Sequence, residues 1–290
     1  MRSQASITLK TFRSLASLGV LLFAVITSCG QRLAIVAPER TLLDETYIDA
    51  ISGHLGGGIK VLDRSLVATA FQSAAIKTPF NMSTHEGRVT SSVIGTEYLL
   101  ILRSGEQRRA SLSRAEYYEA FVFLYLVDGR TGQLVSWRRH VFEDGDQASA
   151  TLALIGSVAT AASELSTAIM NHRRAESSRA PTTHSFEEVP PAGSTAAAGL
   201  KPPIPYRRIR PEYTETAFLY GVRATVDADV DIEADGRVFA VRFVRWAGFG
   251  LEGSVEKAVR QMNWRPATRN GTPLPMRILL RYNFTKVDKE

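Results

Sequence analysis

Cysteine is almost missing from this chain; the one present is Cys29. A single thiol excludes an internal disulfide and any metal site built from clustered cysteines. Long apolar runs are also missing. Residues 14–26, SLASLGVLLFAVI, fall short of the roughly 20 residues a helix needs to span a bilayer. The five histidines, His54, His85, His140, His172 and His184, show no ligand spacing. There is no nucleophile elbow, no catalytic cysteine setting and no His-Glu-x-x-His. Gly56-Gly57-Gly58-Ile59-Lys60 lacks the spacing and the trailing Ser/Thr of a phosphate loop, and reads as a helix stop. Glu143-Asp144-Gly145-Asp146 lacks the calcium-loop pattern and reads as a turn before a helix N-terminus, where acids are favoured. These absences argue against an enzyme and give no reason to expect a cofactor or a metal.

Excess charge is scarce as well. The formal net charge is +6, and Arg2, Lys10 and Arg13, all ahead of the apolar run, account for half of it. Nucleic-acid binding calls for a dense basic face; the remainder reads as a mildly basic surface, with no nucleic-acid partner expected. Arg138-Arg139-His140 reads as an exposed strand segment. With 290 residues, 44% hydrophobic and 22% charged, the chain suits two soluble domains behind an export segment.

The first 28 residues have the layout of a secretory signal: a basic start, a short apolar core, then small residues. Ile26-Thr27-Ser28-Cys29 resembles the lipobox of bacterial lipoproteins. That resemblance implies cleavage before Cys29, lipid on its thiol and, with Gly30 next, sorting to the outer membrane. An uncleaved inner-membrane anchor and a plain cleaved signal remain open.

Residues 33–172 read as an α/β domain with a mixed sheet. The expected strands are 33–36, 59–63, 98–102, 117–127 and 133–143; the expected helices are 41–55, 65–76 and 147–171. In the last helix, Leu152, Ile155, Ala159, Ala162 and Ile169 line the expected core face. Residues 77–93, rich in Ser and Thr, read as a loop. Val61-Leu62-Asp63-Arg64-Ser65, Gly95-Thr96-Glu97-Tyr98-Leu99-Leu100 and Leu126-Val127-Asp128-Gly129-Arg130-Thr131-Gly132 resemble the N-terminal domains of CsgG-, FlgO- and TolB-type envelope proteins. Residues 173–205 hold six prolines among Ser, Ala and Thr and read as a linker. Fully extended, it reaches on the order of 90 Å.

From 206 to 290 the pattern is regular. Residues 209–220 suit a short helix or turn. Val226, Ala228, Val230 and Ile232 alternate with Asp227, Asp229 and Asp231, as in a half-buried strand with its acids on a solvated face. Asp235-Gly236 turns into a returning strand, 238–246. Leu251, Val255, Ala258, Val259 and Met262 share a helical face, and Met276–Phe284 is a last strand. The expected fold is α+β: an α/β domain, a Pro-rich linker, then a small three-stranded antiparallel sheet with one main helix.

Pro211, Gly221, Asp235-Gly236-Arg237-Val238, Gly248, Leu251, Trp264-Arg265-Pro266-Ala267 and Asn270-Gly271-Thr272-Pro273 follow one another as in the TonB C-terminal domain. Residues 202–286 resemble that family. Arg210-Pro211 replaces its usual Tyr-Pro, and Glu252-Gly253 its acidic-Ala pair. The resemblance implies a module that binds partners by accepting an extended segment on the edge of its last strand. The matching positions are Met276, Arg277, Ile278, Leu279, Leu280, Arg281, Tyr282, Asn283 and Phe284, with Glu215 as a secondary polar contact. In the plainer reading Met276–Phe284 is only a sheet edge, with Ile278, Leu280 and Tyr282 inward and Arg277, Leu279 and Arg281 as outward gatekeepers. The implied partner is an outer-membrane transporter or another envelope protein. The implied setting is the periplasmic side of a bacterial envelope, with a role in transport across it. Energy transduction in that family needs an uncleaved membrane helix, and the short run 14–26 has no His where the best-known members carry one. A lipoprotein scaffold for envelope assembly or secretion is the alternative.

Overall fold

The computed structural model describes residues 30–179 and 184–286. The expected export signal and Cys29 lie outside the described residues. The elements run β1 (Gln31–Val36), α1 (Leu42–His54), β2 (Ile59–Val61), α2 (Arg64–Ser73), α3 (Thr84–Ile94), β3 (Tyr98–Arg109), β4 (Tyr117–Asp128), β5 (Leu134–Asp144), α4 (Gln147–Gly156) and α5 (Val158–Ser177). Then come β6 (Glu187–Glu188), β7 (Leu200–Lys201), β8 (Ile204–Pro205), α6 (Glu215–Leu219), β9 (Ala224–Ile232), β10 (Val238–Arg245) and α7 (Leu251–Gln261). Last are β11 (Trp264–Arg265), β12 (Ala267–Arg269), β13 (Thr272–Leu274) and β14 (Met276–Phe284).

The N-terminal unit is a mixed sheet in the order β2-β1-β3-β4-β5. β1 runs parallel to β2 and β3, while β3, β4 and β5 are antiparallel. One face, with Leu33, Leu100, Val122 and Leu124, is covered by α1, α4 and α5. Residues 77–93 are not all loop, because α3 occupies their second half. Ser83 and Glu86 form a reciprocal capping box that starts it: each side chain accepts from the other residue's backbone N–H. The expected long helix is two helices meeting at Ser157. Its buried line runs through Ala150, Leu154, Val158, Ala162, Leu165 and Ile169, and Leu152 is 72% exposed. Of the expected face, Ala162 and Ile169 are buried and Ile155 is half-buried, whereas Leu152 and Ala159 are exposed.

In the C-terminal unit three antiparallel strands, β10-β9-β14, carry α7, which buries Leu251, Val255, Ala258 and Val259. A fourth, two-residue strand joins them: β6 pairs in parallel with Met276 and Arg277 of β14. The Pro-rich segment therefore lies along the C-terminal unit. β7 pairs with β12 and β8 with β11, and α5 reaches to Ser177, inside the span expected to be linker.

The second face of the N-terminal sheet explains why β4 is apolar on both sides, with ten consecutive residues buried from Glu119 to Asp128. Its Phe121, Phe123 and Tyr125 share one core with Val226, Val230, Trp246, Phe249 and Val255 of the C-terminal unit. Phe123 meets Phe249 edge-on at 5.0 Å and Tyr125 meets Trp246 at 5.8 Å between centroids. Trp246 Nε1 donates to the Gly132 carbonyl at 3.1 Å. Asn81 adds three bonds across the junction: Nδ2 donates to the Thr225 and Trp246 carbonyls, both at 2.7 Å, and Oδ1 accepts from the Thr225 N–H at 2.9 Å. At Gly132, with φ +72°, a Cβ would lie 1.8 Å from the Thr84 carbonyl oxygen, so only glycine fits there.

Candidate functional site

β14 pairs with β9 over all nine of its residues, from Met276–Ile232 to Phe284–Ala224. Alternation fixes its two faces. Met276, Ile278, Leu280, Tyr282 and Phe284 turn to the core, where Met276 and Phe284 are buried and the other three pack against it. Arg277, Leu279, Arg281 and Asn283 turn outward.

That outward face is not the solvated strip expected for Asp227 and Asp231. Asp231 is 1% exposed and Asp227 5%. Asp231 Oδ1 accepts from Arg277 Nε at 2.7 Å, and its Oδ2 from Arg242 Nη2 at 2.7 Å. Asp227 accepts a two-pronged grip from Arg281, Nε to Oδ1 at 2.7 Å and Nη2 to Oδ2 at 2.8 Å. Arg245 approaches the same carboxylate at 3.6 Å. Arginines from β10 and β14 thus fold over the acids of the central strand β9 and take them out of water. Asp229 lies between and stays half-exposed. Desolvation holds its carboxyl above the ordinary range, against the pull of Arg277 and Arg242. Leu279, 57% exposed, stands between Arg277 and Arg281 on this face.

The outer edge of β14 is divided in two. Met276 and Arg277 are occupied by Glu187 and Glu188 of β6. Arg269 Nη2 donates to Glu187 at 2.5 Å, and Arg277 Nη1 stands 3.8 Å from Glu188. Past Val189 the strap continues as Pro190-Pro191. Neither proline has an N–H to give, so pairing stops at Glu188. Among the described residues nothing pairs with the outer edge of Ile278–Phe284. Of the nine positions singled out in the sequence, two are paired with β6; along the other seven, alternate residues present backbone groups to an outer edge that is unpaired among the described residues.

Glu215 opens α6, after Thr214, whose hydroxyl caps the Ala217 N–H at 3.2 Å. Its side chain is exposed and lines a cavity of about 690 Å³ with Arg109, Arg139, Phe218 and Lys286. Lys286 follows β14 by two residues, and Tyr213 stacks on Phe284 at 6.3 Å. The fold thus brings Glu215 to the carboxyl end of the open edge. Cys29 lies outside the described residues.

Glu252, in the first turn of α7, accepts from the Ala247 and Gly248 N–H groups at 2.5 and 2.8 Å. Desolvation pushes its carboxyl up, opposed by these two bonds. It braces the loop that carries Trp246 and Phe249. Asp146 caps α4 by accepting from the Ser149 N–H at 2.9 Å, and the Ser149 hydroxyl, together with that backbone bond, holds its carboxyl below the ordinary range. Asn81, which ties the two units together, carries no local signal in the sequence, since its partners lie more than 140 residues away.

Residues 209–285 match the family model of the Gram-negative bacterial TonB protein C-terminal. Among solved structures the chain is similar to the TonB C-terminal domain of Pseudomonas aeruginosa, at 17% identity over 37% of this chain and 99% of that one, with a TM-score of 0.27. It is also similar to a lipoprotein of Neisseria meningitidis, at 12% identity over 46% and 99%, with a TM-score of 0.33. A minor lipoprotein of Acinetobacter baumannii is similar at 10% identity over 49% and 94%, with a TM-score of 0.26. No curated protein matches the chain.

Proposed function

Residues 209–285 belong to the TonB C-terminal family, and from that premise we propose that the chain is a periplasmic envelope protein that captures an extended segment of a partner along Ile278–Phe284 of β14. The supporting observation is the open stretch of backbone on that edge, bounded on one side by the proline-terminated strap. Backbone hydrogen bonds supply the affinity and alternate side chains the selectivity. Leu279 gives an apolar contact between two arginines, and Glu215 stands where the captured segment leaves the strand. A lipid on Cys29 holds the protein at the outer membrane, and the partner is a transporter or another envelope protein. The common core of the two units favours a fixed adaptor in transport across the envelope over a swinging energy transducer.

The test is amide hydrogen exchange on the full chain, with synthetic peptides from the periplasmic segments of outer-membrane transporters. A bound peptide protects alternate amides within Ile278–Phe284 and leaves Met276 and Arg277 unchanged. Protection confined to other strands, or none with any peptide, removes the proposal. Metabolic labelling with a lipid analogue, lost in Cys29→Ala, tests the anchor separately.

A further inference from the structure

A second cavity, of about 550 Å³, lies at the junction of the two units. Its floor is the outward face of β4, with Phe121, Phe123 and Tyr125. Phe80, Tyr220 and Phe249 form its walls. Phe80 tilts against Tyr125 at 5.6 Å, and Tyr220 meets Phe123 edge-on at 4.8 Å. The walls are fixed in place. Asn81, beside Phe80, makes the three bonds across the junction, and the Tyr220 hydroxyl donates to the buried Glu119 at 2.9 Å.

Charge collects at the mouth with one sign in excess. Arg103 is paired with Glu39 at 3.2 Å. Lys77 and Arg223 also line the cavity, and among the described residues neither has a carboxylate partner. Three cations thus face one acid above an aromatic interior. The volume lies within the roughly 300–1,000 Å³ usual for small-molecule sites, which favour domain junctions. Aromatic walls reward a flat ring by stacking and edge contacts beyond what burial alone gives.

We propose that this cavity is a binding site for a planar aromatic anion, its ring against the half-buried Phe80 and Tyr220 and its acidic head toward Lys77 and Arg223. Such a ligand touches both units at once, so binding also stiffens their junction. The site does not depend on peptide capture by β14.

The test is isothermal titration of the full chain with 2-naphthoate, with 2-naphthamide as the uncharged control and decanoate as the non-aromatic one. Binding of 2-naphthoate at least about tenfold tighter than either control is expected, and the double variant K77E/R223E should lose about tenfold in affinity for it. Both substituted side chains are exposed, and an unchanged thermal midpoint for the variant shows that the loss is not unfolding. No binding of 2-naphthoate overturns the site. Equal binding of the amide, or an unaffected double variant, overturns the anion preference. Tighter binding of decanoate overturns the aromatic one.

Discussion

Asp231 and Asp229 are two residues apart on one face of β9, yet neutralising each should move stability differently. Asp231 is 1% exposed and its two oxygens take bonds from Arg277 and Arg242. Asp231→Asn keeps the shape but leaves one acceptor and sets an NH₂ against a guanidinium. Hydrogen bonds to a charged group are worth about 1.5–3 kcal/mol each. Breaking a fully buried ion pair costs about 3–5 kcal/mol. Here the arginine side chains keep 38% and 27% of their exposure and recover part of their hydration. The expected loss is therefore about 2 kcal/mol. Asp229 is the reverse case. Its folded pKa lies above the unfolded value of 3.8, chiefly through desolvation, so its charge works against the fold at neutral pH. Asp229→Asn should leave stability unchanged or raise it slightly. The assay is urea unfolding at pH 7, because guanidinium salt would screen the ion pairs. If the two variants lose the same amount, or Asp231→Asn loses less than about 0.5 kcal/mol, the buried ladder is wrong and the acids lie on an ordinary solvated face.

Three further outcomes follow from the geometry. Replacing the strap prolines, P190V/P191T, restores two N–H donors and lets β6 zip further along β14; peptide affinity in a titration should fall about tenfold, and an unchanged affinity rules out this edge as the site. Asn81→Ala removes three bonds across the junction and should cost about 2–3 kcal/mol in urea unfolding; a loss below about 0.5 kcal/mol means they are replaced by water. Glu252 has a folded pKa raised above its unfolded 4.5. Wild type therefore carries its full stability below that value and loses part of it as pH rises through the folded pKa. Glu252→Gln keeps an acceptor for both N–H groups and lacks that decline, so its advantage should grow from nothing near pH 4 to a plateau at neutral pH. A gap that is constant with pH, or of opposite sign, refutes this assignment.

The C-terminal strands and α7 were readable because apolar residues recur there at the spacing of one element at a time. The same held for most of the N-terminal strands. Start signals in the sequence also predict α3: Ser83-x-x-Glu86 is a capping box, overshadowed by the polar composition around it. The pair Gly156-Ser157 marks the place where one expected helix divides into two, a weak signal inside an otherwise helical stretch. The acid ladder required knowing that β10 and β14 flank β9, since Arg242, Arg277 and Arg281 find Asp231 and Asp227 only across strands. Most obscure was the Pro-rich segment. Two-residue strands such as β6 and β8 have no periodicity to detect, and their partners lie tens of residues away. The unbroken apolar stretch of β4 has the pattern of a strand covered on both faces. It did not announce that the second cover is the C-terminal unit.

The aromatic seam between the units has a practical meaning for anyone who cuts this chain in the Pro-rich segment. Neither half would come away clean: one would carry bare Phe121, Phe123 and Tyr125, the other bare Trp246 and Phe249. Such raw faces invite self-association, so a fragment starting near residue 206 would report on stickiness before recognition. Grafting this C-terminal module onto another protein would likewise need a matching oily counterpart in the recipient.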